Sequence, residues 1–288
     1  MQTELGALQG SNQTEKLSLL LQSTQAAAQQ ASEAEGAQAA AQAAAQAGNT
    51  GGELHHLLEV VEHQRAARRQ LKSIRGGGPA PLRAMVLRDL AAGEAAAGGA
   101  LHAIVAEGGG TEATIKKAGE CLSNAQALYE EIGELAQMQM MMRQQGSLYL
   151  AAALCASLEG RGARERLTLA LRHYERALAP QLLAQAAVSP AMERCAAEAR
   201  LELANFYLTW GTMSGGEQVK HLEAALSHAR APQKTEGLPI DVVAPLVDAE
   251  ERALRELIRA HAANGNASRS AALKEEYRAV LQRKAASK

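Results

Sequence analysis

Three histidines and two glutamates crowd one short stretch: His55, His56, Glu59, Glu62 and His63. His56, Glu59 and His63 follow one another at three and four residues. On a helix that spacing brings two imidazoles and a carboxylate to one face, the donor types a divalent transition metal takes. The chain has no HExxH, and a zinc site needs three or four convergent ligands. The stretch therefore reads as a polar helix face with a few histidines, and no metal or other cofactor is expected. Directly after it come Arg65, Arg68, Arg69 and Lys72, spaced at three, four and seven residues from the first. This is a cationic stripe able to meet phosphates or an acidic partner. No aromatic side chain lies near it to stack bases. A solvated helix face is the expectation, and nucleic-acid association through this stripe is the alternative.

Other reactive residue types are not arranged for catalysis. Cys121, Cys155 and Cys195 stand far apart, without a CxxC pair, and an odd count gives no disulfide framework. Each falls in an apolar helical pattern, where a free cysteine acts as a small hydrophobe. "GGGPAP" and "EGGGT" lack the order of a phosphate loop and follow no strand, so they read as linkers. There is no GxSxG elbow. Met138, Met141 and Met142 in "MQMMMRQQ" have core spacing, although flexible methionines can also form a docking surface. No enzyme is expected.

The elements behind these residues follow from composition. Aromatic residues are 2% of the 288 and the formal net charge is −1. A chain so poor in rings does not favour β-sheet, and its charge provides no global attraction for nucleic acid or an anionic membrane. No run of eighteen apolar residues occurs, and "MQTELGALQG" lacks the features of a secretory signal. The expectation is a soluble intracellular protein with no membrane partner.

Residues 1–52 are dominated by Ala and Gln and read as a tail or linker, partly helical, with little to bury. Residues 53–75 form an amphipathic helix with a basic C-terminal half, its apolar stripe being Leu54, Leu57, Leu58 and Val61. A Gly/Pro linker covers 76–81, and a helical-repeat domain covers 82–285. Within it, breaks at Gly, Pro or Asn predict helices at about 82–106, 112–131, 134–158, 163–179, 191–210, 217–230, 241–263 and 267–285. Short joints make these four antiparallel pairs.

A recurring spacing ties the pairs together. Ala170, Tyr174 and Ala177 share one helix face. The same geometry returns at Ala125, Tyr129 and Ile132, at Ala224, His228 and Ala231, and at Leu273, Tyr277 and Val280. The ring positions 129, 174, 228 and 277 fall about every fifty residues, in the second helix of each pair. The first helices carry an echo at Leu150, Ala151 and Leu154 and at Leu203, Ala204 and Tyr207. A fixed period of one helix pair is the sign of a solenoid. The ring would fill the gap between pairs, while small neighbours let the helices approach.

These residues resemble the tetratricopeptide pattern, and "ALRHYERALAP" is the best match. The pitch exceeds the roughly 34 residues of that repeat, which implies extended helices. Over about residues 110–235, "ALYEEIGELAQ", "LRHYERALAPQLLAQ", "RLELANFYLTWG" and "GEQVKHLEAALSHA" resemble the C-terminal repeats of the erythroid differentiation-related factor 1 family. That resemblance implies a nuclear, transcription-associated role without an enzymatic motif, and a chain that is either the C-terminal portion of a longer protein or a truncated gene product.

The expected fold is thus an all-α, tetratricopeptide-like α-solenoid. The expected function is a non-catalytic protein-interaction scaffold whose groove, walled by the first helices, takes other proteins or peptide segments. Its candidate contacts are exposed polar positions on those helices: Arg143, Gln144, Arg200, Asn205, Glu251 and Arg255.

Overall fold

The structure, a computed structural model, describes residues 2–47, 50–73, 80–155, 161–186, 189–213, 217–231 and 238–286. Eleven helices and no strand occur among these residues. They are α1 (Gln2–Gln46), α2 (Thr50–Ser73), α3 (Ala80–Ala106), α4 (Glu112–Ile132), α5 (Leu135–Leu154), α6 (Arg161–Ala177), α7 (Pro180–Ala186), α8 (Pro190–Met213), α9 (Gln218–Arg230), α10 (Ile240–Ala263) and α11 (Ala267–Ala286). The fold is all-α, with successive helices packed as adjacent pairs in the manner of a solenoid. The four predicted pairs are α3/α4, α5/α6, α8/α9 and α10/α11. Most of the predicted linker 76–81, and parts of the joints at 159–162, 179–190, 210–216 and 231–239, lie outside the described residues.

Helix ends fall where local chemistry stops them. Thr111 caps α4: its hydroxyl accepts from the Thr114 N–H while the Thr114 hydroxyl accepts from the Thr111 N–H. At the other end Gly133 takes a left-handed conformation (φ 77°), and the Glu134 N–H returns to the Tyr129 carbonyl. This closes a Schellman motif that a side chain at residue 133 would strain. The predicted break at 179–190 is more structured than expected, because α7 starts at Pro180 within it. Proline suits the first turn of a helix, which has no use for its missing N–H.

The chain divides into two compact units, Met1–Met141 and Met142–Lys288. The first corrects the reading of residues 1–52 as a tail or linker. The Ala/Gln stretch is the long helix α1, packed along α2. Ala27, Ala34 and Ala41 are buried at seven-residue intervals, forming a narrow coiled-coil seam. Alanine alone buries little area, but the seam lies on a helix that brings its own apolar side chains, Val60, Val61 and Ala67. Ala27, Ala67 and Val86 form one cluster across α1, α2 and α3. In the α3/α4 pair, an added Cβ at Gly98 would come within 2.8 Å of the Leu122 side chain, so only glycine admits this approach.

In the second unit, Tyr174 is 2% exposed and packs with Leu167, Ala170, Leu203 and Phe206. Facing it on α5 is Gly146, where a Cβ would lie 2.7 Å from the Tyr174 ring. Large ring against absent side chain is the packing the repeat reading expected, with the small residue in a different place. Of the first-helix echo at Leu150, Ala151 and Leu154, Leu150 packs against the Tyr174 cluster, whereas Leu154 is half-exposed. Gly146 and Tyr149 stand in this role, as Ala204 and Tyr207 do on α8.

The α9 register is also corrected. Tyr149 stacks on His173 at 5.4 Å, and Tyr207 stacks on His228 at 5.7 Å. His228 therefore corresponds to His173, one position before the buried site. The place of Tyr174 is taken in α9 by Ala229, fully buried like Ala225. At α4 and α11 the proposed positions hold better: Ala125 and Tyr129 are buried, as are Leu273 and Val280, and Tyr277 packs against the same core as the last two.

Candidate functional site

In the first unit, α2, α3 and α4 bound a cleft of about 320 Å³. Its apolar lining is Leu90, Ala127 and Leu128, and its polar lining is Arg65, Arg68, Arg69, Lys72, Glu94, Asn124 and Glu131. All four cations of the predicted stripe are brought together here. Helical spacing alone accounts for their common face; the carboxylates come from elsewhere in the chain. Glu94 on α3 is almost fully buried, and one of its oxygens accepts from Arg65 Nε and Nη2 at 2.9 and 2.6 Å and from Asn124 Nδ2 at 3.3 Å. Arg68 donates to Glu131 at 2.7 Å. The inner half of the stripe is thus neutralised by α3 and α4. Arg69 and Lys72, both exposed, have no ion-pair or hydrogen-bond partner among the described residues. Cys121 lies near Glu94, and burial, followed by the Glu94 charge, pushes its thiol up to about 12. The group stays a neutral thiol at physiological pH, as the small-hydrophobe reading requires. Cys155 and Cys195 are only half-buried.

The histidine cluster on α2 is arranged differently from the expectation. His63 turns to α1, with Nδ1 3.2 Å from both Glu33 and Gln30. The donor atoms that approach one another, within 4.8 Å, are those of His55, His56 and Glu59. The His56 hydrogen bond, at 2.8 Å, holds the Glu59 carboxyl below its usual range. All three groups come from one face and one helix, which leaves a coordination sphere open on every other side.

In the second unit the nominated groove residues separate into pairs and one free cation. Arg143 is not the exposed position expected of it: its side chain is 14% exposed and is held by Glu198 and by Glu202, the latter at 2.7 Å. Burial raises the Glu202 carboxyl, a rise that Arg143 only partly offsets. Gln144 is half-buried. Asn205 accepts from Arg252 at 3.5 Å. Glu251 is buried rather than exposed, and it receives Arg255 and, at 2.8 Å, Lys284. Arg200 is half-buried beside His228 and has no hydrogen-bond or ion-pair partner among the described residues; burial depresses its pKa. First helices touch through charge: Arg143 links α5 to α8, and Arg194 reaches Asp241 on α10 at 2.7 Å.

Sequence reasoning missed the ring cluster behind this face. Phe206 meets Tyr174, Tyr207 and Trp210 edge-on, and Trp210 stacks on His221 at 4.9 Å. The run "NFYLTW" carried the signal: three of the chain's seven aromatic residues within five positions. Gln139 and Gln145, buried on the same helix as Met138, Met141 and Met142, were equally unmarked by the methionine spacing. The core reading of those methionines holds. No helix among the described residues is long and apolar enough to cross a membrane. Neither a scan against protein-family models nor a search of curated proteins finds a match to the chain.

Proposed function

We propose that this chain is a non-catalytic scaffold that holds segments of other proteins on the first helices of its pairs. The supporting observation is the row α5, α8 and α10. Arg143 to Glu198 and Glu202, and Arg194 to Asp241, fix these helices side by side. Helix pairs stacked in this way present extended surfaces for peptides and helices. Arg200, the nominated contact without a partner among the described residues, is the position for a carboxylate from the bound segment, because a half-buried guanidinium gains most from a charge-assisted hydrogen bond.

A peptide array containing acidic and apolar segments tests the reading. The wild-type chain is expected to select a subset carrying Asp or Glu, and Arg200→Glu to lose that subset by tenfold or more in affinity. Selection of the same peptides by Arg200→Glu would remove Arg200 from the site, and no selection by the wild type would remove the scaffold. The transcription-associated setting is proposed on the sequence resemblance alone. Nuclear enrichment of the tagged chain supports it, and uniform distribution counts against it.

A further inference from the structure

We propose that the cleft between α2, α3 and α4 is a binding site for a phosphate monoester. The inference stands apart from the scaffold reading, since it concerns a different unit and a different ligand chemistry. Its starting point is a charge imbalance in a concave place. Four cations and two carboxylates line the cleft. Arg65 is paired with Glu94 and Glu62, and Arg68 shares Glu131 with Arg83, whereas Arg69 and Lys72 have no charged partner among the described residues. Two residual positive charges suit a phosphate monoester, which carries about −1.5 to −2 near neutral pH. A carboxylate would leave one of them unmet.

A second observation points the same way. Arg68 Nε is buried and has no acceptor, although the same guanidinium donates to Glu131 through Nη2. A guanidinium is a planar fork that binds phosphate oxygens through parallel N–H groups, so an N–H without an acceptor beside two cations that are unpaired among the described residues is an unfilled part of such a fork. The cleft is also small. Its volume is at the lower end of small-molecule sites, and the apolar part of its lining, Leu90, Ala127 and Leu128, meets the apolar body of the ligand. No ring lines it, so stacking on bases does not contribute. Arg65, held by the buried Glu94, is pre-oriented and loses little freedom on binding.

Isothermal titration of the full chain with phenyl phosphate, and separately with a phosphoserine peptide, tests the site. Saturable one-to-one binding is expected, with Kd on the order of a millimolar or tighter. The Arg69→Ala/Lys72→Ala variant should bind at least tenfold more weakly with unchanged far-UV circular dichroism. Glu131→Gln, which removes a competing carboxylate, should bind more tightly. Affinity should also fall as pH drops below about 6, where the phosphate takes up its second proton. Tighter binding of the peptide would assign the phosphate to a modified partner, and equal or weaker binding would assign it to a free metabolite. Cations in the last turn of a helix also complement its dipole. If that is their whole role, the double variant melts lower while affinity for phenyl phosphate stays the same, and the proposal fails. It fails equally if benzoate binds as well as phenyl phosphate, or if only a single-stranded oligonucleotide binds.

Discussion

Within residues 1–141 the close helix approaches run over alanine and glycine; within residues 142–288 buried alanines are joined by a cluster of rings. The first unit has Ala27, Ala34 and Ala41 along one seam and Gly98 against Leu122. The second holds six of the seven Phe, Trp and Tyr residues, with Tyr174 and Trp210 in edge contact with Phe206 and histidines stacked on Tyr149, Tyr207 and Trp210. Both solve one problem, which is to fill the space between helices whose side chains supply little volume. A seam of small residues brings the axes together. A ring keeps them apart and fills the gap. The two solutions fail in opposite directions: the seam fails when a side chain grows, and the ring cluster fails when one shrinks.

The largest test of that contrast is Tyr174→Ala. Removing a buried ring at the centre of its cluster should destabilise the second unit by about 3–5 kcal/mol. Trp210, the single tryptophan, lies in that cluster, so fluorescence during denaturant unfolding reports it. A loss below about 1 kcal/mol would place the ring outside the core and undo the register argued for the repeats.

Ala67→Leu should have a smaller effect, about 1–3 kcal/mol, because overpacking forces shifts where α1, α2 and α3 meet. The readout is the far-UV circular dichroism transition. Stabilisation by the larger side chain would mean that α1 does not press on α2, and the seam would have to be abandoned.

Acid should separate the units at the lowest amplitude. Burial, followed by the Arg176 charge, depresses His173 to about 4, and burial followed by Arg200 depresses His228. Each folded pKa lies below the unfolded value near 6.5, so between about 6.5 and 4 the unfolded state binds more protons. The stability of the second unit is therefore complete above about pH 6.5 and falls as pH drops towards 4. These rings are partly exposed, so the loss is put at about 1 kcal/mol. The Trp210 midpoint measured at pH 7 and pH 5 checks it, and a smaller fall in a His173→Gln chain than in the wild type assigns that ring its share.

Much of the architecture could be read in the residues. Gly133, Pro180 and Asn264 mark helix ends because backbone conformation there depends on one or two side chains. The alternation of apolar runs and breaks therefore located the helices of all four pairs to within a few residues. Tyr174 with Ala170 and Ala177 was legible for the same reason, since a helix face is a local property. The stripe Arg65 to Lys72 was legible as a stripe but not as a cleft. Glu94, Asn124 and Glu131, which turn it into one, are separated from it by long intervals of chain.

By itself, then, the sequence determined the all-helical class, the helix boundaries and the faces that must be buried, all of which rest on interactions between near neighbours. Only the tertiary structure decided which small residue meets which ring, that the alanine-rich N-terminus forms a seam, and which cations remain unpaired. Those outcomes depend on the register between helices distant in sequence. A shift of one position, as from His228 to Ala229, leaves the local pattern almost unchanged while exchanging a half-buried ring for a closed contact.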